Sequence, residues 1–234
     1  MDATDLLLRR LKPLRFKAPV AFVYNPLEYA RKPWDEYVAR FGNSKRRVIL
    51  LGMNPGPFGM AQTGIPFGEI SQVRDWLQID APVGKPAKEH PKRPVDGFAC
   101  TRSEVSGKRL WGWARDKFHT PEKFFAEFFV ANYCPLVFME TSGKNFTPDH
   151  LPKTEQKSLF DVCDEALVAM VRAMDAQFVI GVGAFAEARA NAAFQDRKEF
   201  SHLKIHRILH PSPASPKANK DWAGEVDRQM NEIL

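Results

Sequence analysis

The chain has 234 residues, 44% of them apolar and 26% charged, with a formal net charge of +6 and a pI near 9.2. That length suits one α/β domain with a substantial core, and no run approaches the roughly 18 apolar residues of a membrane-spanning helix. Three cysteines (Cys100, Cys134, Cys163) are too few and too scattered for a disulfide framework or a four-cysteine iron–sulfur site, so a reduced, intracellular compartment is expected.

Taken in order, the chain opens with Leu6-Leu7-Leu8, interrupted at once by Arg9 and Arg10, which excludes a signal peptide. Leu7, Leu8 and Leu11 instead predict a short amphipathic helix. A second helix is expected over 33–41, with Pro33 in its first turn and Trp34, Tyr37 and Val38 on one face. Residues 47–51 end in Val48-Ile49-Leu50-Leu51, an apolar run that reads as a fully buried strand.

A loop rich in glycine (Gly52, Gly56, Gly59, Gly64, Gly68) and proline (Pro55, Pro57, Pro66) follows, so the backbone must fold sharply. It carries Asn54, Gln62, Thr63, Phe58 and Phe67. Amides beside aromatic faces suit a pocket for a flat, hydrogen-bonding ligand. A glycine-rich turn retained only for packing is the plain alternative. Helical spacing resumes over 69–77. Residues 81–96, with four prolines and the basic Lys85, Lys88, Lys92 and Arg93, read as an exposed loop. A solvated loop is the plain reading of those charges, and phosphate contact the sharper one.

Beyond that loop, a helix is expected within 102–118, with Leu110, Trp113, Ala114 and Lys117 near one face. A strand at 128–132, a polar turn-rich stretch at 141–152 and a helix through 159–174 come next. A strand at 178–183 precedes a helix over 184–194. A strand at 205–209 ends in His210-Pro211, and a helix from about residue 219 closes the chain. Four strands separated by helices imply one domain over 1–234, an α/β three-layer arrangement whose four-stranded, mostly parallel sheet is flanked by helices. Ligands bind outside the carboxyl ends of such strands. Asn54, Asn132 and His210 all stand at those ends and are expected to converge on one rim. His202 and His206 are rivals to His210, but only His210 sits at a strand exit.

The stretches GMNPGPFGMAQTGIPFGE at 52–69 and HPSPASPKANKDW at 210–222 are joined by SEVSGKRLWGW at 103–113, NYCPLVFM at 132–139 and GKNFTP at 143–148. Together they resemble the single-strand-selective monofunctional uracil-DNA glycosylases, a branch of the uracil-DNA glycosylase superfamily. The resemblance covers roughly residues 20–230. It implies excision of uracil and C5-oxidised uracils such as 5-hydroxymethyluracil from single- or double-stranded DNA, by base flipping, with no metal, no organic cofactor and no membrane partner. An abasic site would be left, without a lyase step. A monomer is the default. Alternatives are a superfamily relative with another damaged-base preference and a non-catalytic nucleic-acid-binding module. The loop lacks the GK[ST] ending of a phosphate-cradling P-loop, against nucleotide triphosphate binding.

By this resemblance Asn54 positions the attacking water and His210 hydrogen-bonds uracil O2; the sequence leaves the histidine's protonation state open. Asn132 reads the base edge, Phe67 stacks on the ring, Met53 offers its backbone and Gly56 leaves room at C5. Without the resemblance, Asn54 reads equally as a turn residue and Phe67 as core. The segment Pro211-Ser212-Pro213-Ala214-Ser215-Pro216 is the expected wedge into DNA, with Ala214 where better-known members carry a larger basic residue. Lys217 and Lys220 are expected at phosphates.

Overall fold

The computed structural model describes residues 3–234. Strands are β1 (Phe22–Tyr24), β2 (Val48–Gly52), β3 (Phe128–Asn132), β4 (Val137–Met139), β5 (Asn145–Phe146), β6 (Phe178–Val182) and β7 (Lys204–Ile208). Helices are α1 (Ala3–Leu11), α2 (Pro26–Tyr29), α3 (Arg31–Tyr37), α4 (Met60–Thr63), α5 (Val105–Phe118), α6 (Pro121–Phe125), α7 (Lys153–Met174), α8 (Ala184–Phe194) and α9 (Pro216–Ile233). Among the described residues no helix is long and apolar enough to cross a membrane.

The four expected strands form one parallel sheet in the order β3-β2-β6-β7. Every residue of β2 and β6 is buried, which explains why both read as continuous apolar runs rather than alternating ones. From β2 the chain passes first to β3 on one side and only later to β6 on the other. Strand order therefore reverses at β2, and the crevice at its carboxyl end is where such sheets bind ligands. The glycine-rich loop leaves from that point.

Five expectations need correction. A second, antiparallel sheet, β1-β4-β5, stands beside the main one. Its strands span two or three residues, too short to show alternation. Residues 81–96 are not a merely exposed loop, because His90 and Val95 are each 1% exposed. The Tyr24 hydroxyl accepts from the His90 amide at 2.6 Å, and Glu89 accepts from the Val95 amide at 2.7 Å. The closing helix starts at Pro216, where Ser215 caps it by accepting from the Ala218 amide, and it kinks at Asp221. The helix expected over 33–41 is α3 followed by a wide π-type turn, Val38–Gly42, and another such turn, Gln72–Trp76, occupies most of 69–77.

Candidate active site

The rim is set first by the sheet register. Gly52 pairs with Asn132 at the carboxyl edge, and the ladder continues as Tyr133 and Cys134 donate to the carbonyls of Gly52 and Met53 at 2.9 Å each. Tyr133 is anchored in turn, its hydroxyl donating to Asp164 at 2.7 Å and accepting from Arg189 at 3.0 Å. Gly52 is a requirement. A Cβ there would overlap Asn132 Oδ1 and sit 2.7 Å from the Phe67 ring, so only glycine lets the amide and the aromatic ring meet across the strand end.

Phe67 is 8% exposed and holds φ at 53°, a left-handed conformation rare for an aromatic residue. The surroundings enforce it. The Trp111 indole donates to the Pro66 carbonyl at 3.2 Å, the Glu69 amide donates to the Phe67 carbonyl at 2.7 Å, and Gly107 of α5 leaves that carbonyl room. Asn132 is oriented by Met60, whose sulfur accepts from Nδ2 at 3.3 Å. A thioether has no proton to donate, so it fixes which end of the amide faces it. Oδ1 and the second N–H remain for a ligand edge, an arrangement matching an N–H beside a carbonyl, as in uracil.

Asn54 spends its amide N–H groups on backbone, donating to the Leu136 carbonyl at 3.2 Å and more weakly to that of Pro55 at 3.5 Å. Its Oδ1 is thereby turned to accept, as holding a water requires. The amide has no useful basicity. His210 enters from beyond β7, where Gly183, at φ 98°, lies against its ring and Cβ. Its backbone approach is clamped by α9: Gln229 accepts from the Leu209 amide and the Trp222 indole donates to the Leu209 carbonyl, both at 2.8 Å. Burial pushes the imidazole below its usual pKa, so at neutral pH it is uncharged and donates from one nitrogen. The Phe67 and His210 rings stand 6.4 Å apart at 46°.

These side chains line one cavity of about 320 Å³, together with Met53, Gly56, Glu104 and Ser212. Glu104 was missed by sequence reasoning, although it stands within SEVSGKRLWGW. Its carboxyl lies against Gly56 and Gly59, where any Cβ would overlap it, so the space beside Gly56 is occupied by an oxygen-bearing group. Gln62 and Thr63 do not reach the cavity. Gln62 bridges the loop to residues 94–97, and Thr63 donates to the Gly68 carbonyl at 3.0 Å. Phe58 lies under the Arg102 guanidinium at 4.0 Å. His206 is set apart, inside β7 beside the Phe178 ring.

A family model described as the uracil DNA glycosylase superfamily matches residues 39–231. The chain belongs to the uracil DNA glycosylase superfamily. Over 223 residues it is 48% identical to a single-strand selective monofunctional uracil DNA glycosylase of Bos taurus, covering 95% of this chain and 81% of the relative. The Mus musculus protein of that name is 46% identical over the same length, covering 79% of the relative. Among solved structures, that of wild-type Pedobacter heparinus SMUG2 superposes with a TM-score of 0.69, covering 100% of this chain and 97% of the other at 17% identity, a likeness of fold.

In this superfamily member, residues 211–216 form a pinned arch beside the cavity, leading into the first turns of α9. Arg109 of α5 donates to the carbonyls of Pro211 at 3.0 Å and Ser212 at 3.3 Å, and to Asn219 Oδ1 at 2.8 Å. Asn219 donates onward to the Pro213 carbonyl at 2.9 Å. Pro211 is buried, Ser212 and Ser215 are half-buried, and the apex Pro213-Ala214 with Pro216, Lys217 and Lys220 is exposed. The basic charges of 81–96 are largely committed elsewhere. Lys85 pairs with Glu89 at 3.2 Å, Lys88 lies 4.4 Å over Phe22 and Arg93 lies 5.6 Å over Phe58. That favours the plain reading of the stretch.

Proposed function

We propose that residues 1–234 act as one monofunctional uracil-DNA glycosylase domain, which flips uracil out of DNA and hydrolyses its N-glycosidic bond to leave an abasic site. The observation carrying this reading is the shared cavity of Asn54, Phe67, Asn132 and His210 in a chain so similar to proteins of that name. Asn132 holds the O4 and N3–H edge, Phe67 stacks on the ring, and Oδ1 of Asn54 aligns the water. With no strong base in the loop, the barrier falls through charge. His210 donates to O2 as negative charge grows on the departing base. Met53 and Gly56 shape the wall next to C5, and a hydroxymethyl group directed there would meet the Glu104 carboxyl. The enzyme works as a monomer on single- or double-stranded DNA in an intracellular compartment, and the 211–216 arch fills the place of the flipped base while Lys217 and Lys220 contact phosphates.

The test is incubation with oligonucleotides carrying one uracil, 5-hydroxymethyluracil or thymine, followed by alkali and a denaturing gel. Strand cleavage at uracil and hydroxymethyluracil but not thymine is expected; an intact strand with every modified base would sink the reading.

Two further results are expected. Met60→Leu keeps the volume but removes the sulfur acceptor, so single-turnover uracil excision should fall about three- to tenfold as the Asn132 amide loses its fixed orientation. Arg109→Ala frees the arch, so excision from duplex DNA should fall about ten- to a hundredfold while excision from single strands, where no stack must be held open, falls less than about threefold. Equal losses on both substrates would separate the arch from duplex opening.

A further inference from the structure

Glu104 lines the cavity and has been given no part in the bond cleavage itself. It precedes α5 but makes no capping bond with its side chain. Its Oε2 is enclosed and has no hydrogen-bond partner among the described residues. The residue as a whole keeps partial exposure, yet its carboxyl is walled by Gly56 and Gly59, with Gly107 close by. Room has been made for this group by glycines on the loop that also carries Asn54. A buried carboxyl without a donor is costly when charged, because nothing replaces its lost water.

The charged surroundings sharpen the point. Residues 52–59 contain no titratable side chain, nor do 145–147 or 211–216. Glu69 contributes a second carboxylate, already supplied with donors by Ser71, Ser103 and the Gln72 amide. Across the cavity lining, His210 is uncharged at neutral pH. On Glu104's own segment, Arg102 is stacked on Phe58 and Arg109 is committed to the arch, while Lys108 is exposed on the first turns of α5. Among the described residues no cation pairs with Glu104.

We propose that Glu104 takes part in base excision as an uncharged carboxylic acid, donating a hydrogen bond to the flipped base inside the cavity it shares with Asn54, Phe67, Asn132 and His210. This rests on the glycosylase reading above. The proton stays on Glu104, and no bond is made or broken at its carboxyl. The donated bond strengthens as negative charge spreads over the base carbonyls at departure. Ionised, the same group becomes an acceptor and sets a negative charge against a departing anion, so it would oppose the reaction it otherwise assists.

Burial, reinforced by the Glu69 carboxylate, pushes the Glu104 pKa up to about 7 in the free enzyme. A raised acid is neutral below that value and ionised above it, so the competent form is lost as pH rises. A base seated against the carboxyl removes more water and raises the value further. The fall should therefore appear first under sub-saturating conditions and at higher pH when the complex is saturated.

The experiment is single-turnover uracil excision at sub-saturating enzyme across pH, with wild type, Glu104→Gln and Glu104→Ala, each checked by thermal melting. Wild-type excision should fall about tenfold or more between about pH 6.5 and about pH 8.5. Glu104→Gln, an uncharged donor of altered geometry, should start about three- to fivefold lower and lose less than about threefold over that range. Glu104→Ala should be lower still by about tenfold and equally flat. A loss of about a hundredfold in Glu104→Gln at the lower pH, with melting unchanged, would mean that the carboxylate form is needed and overturn the proposal. So would a flat wild-type profile, or an alkaline fall that persists in either variant. Wild type that releases no uracil at any pH would instead remove the glycosylase reading itself, and this inference with it.

Discussion

Asn54→Ala and His210→Ala should each lower single-turnover uracil excision by about a hundredfold to a thousandfold, for His210 the range found when one preorganised donor to a developing anion is removed and for Asn54 the loss expected when a reactant is no longer held in line. The two losses have different origins. Without Asn54 the water would lose Oδ1, the acceptor that the Leu136 and Pro55 carbonyls hold in place by taking the amide N–H groups. Without His210 the charge arriving on O2 meets no donor. Both residues are uncharged and line the cavity, so DNA binding measured by fluorescence anisotropy should stay within about threefold of wild type. Because burial depresses the His210 pKa, the uncharged imidazole is the form present at neutral pH. If both variants keep near-wild-type rates, the roles assigned to the cavity are wrong.

Gly52→Ala should be nearly as damaging, although residue 52 touches no base. Its Cβ would overlap Asn132 Oδ1 and press to 2.7 Å on the Phe67 ring. β2 is buried on every residue and fixed in register on both sides, so the strand cannot move away. The amide and the ring must move instead, and a displacement of about 1 Å at a reacting constellation costs about a hundredfold in rate. Overpacking should also lower stability by about 1–3 kcal/mol. Excision and thermal melting measured together separate the two effects: a variant that stays folded but excises uracil within about twofold of wild type would mean that Asn132 and Phe67 tolerate the displacement.

Much of the fold and the rim is legible in the sequence. Val48-Ile49-Leu50-Leu51 announced a buried strand, and a polar residue at three strand exits announced a common rim, because parallel sheets align their carboxyl ends. Placement at an exit also separated His210 from His206. What stayed hidden depended on contacts between residues distant in the chain. Glu104 looked like any acid before a helix until Gly56 and Gly59 were folded against its carboxyl. Met60 carries no sequence signal of its own, and its sulfur matters only because Asn132 lies opposite it. Gln62 and Thr63 looked like ligand-binding groups, yet they tie the loop to residues 94–97 and to its own backbone. The pairing of Arg109 with the 211–216 arch and with Asn219 of α9 spans about a hundred residues. Strands such as β1 and β5 were too short for alternation to register.

A cavity in which an amide holds the water and a neutral histidine meets the departing charge should break the glycosidic bond of uracil and nothing else. Free base released from a single-stranded oligonucleotide carrying one uracil, with enzyme in excess, can be measured by chromatography. One free uracil per strand is expected, with an intact backbone until alkali is added and no cytosine from the matching cytosine strand. Strand scission without alkali, release of cytosine at a comparable rate, or no free base at all would overturn the roles given to Asn54 and His210.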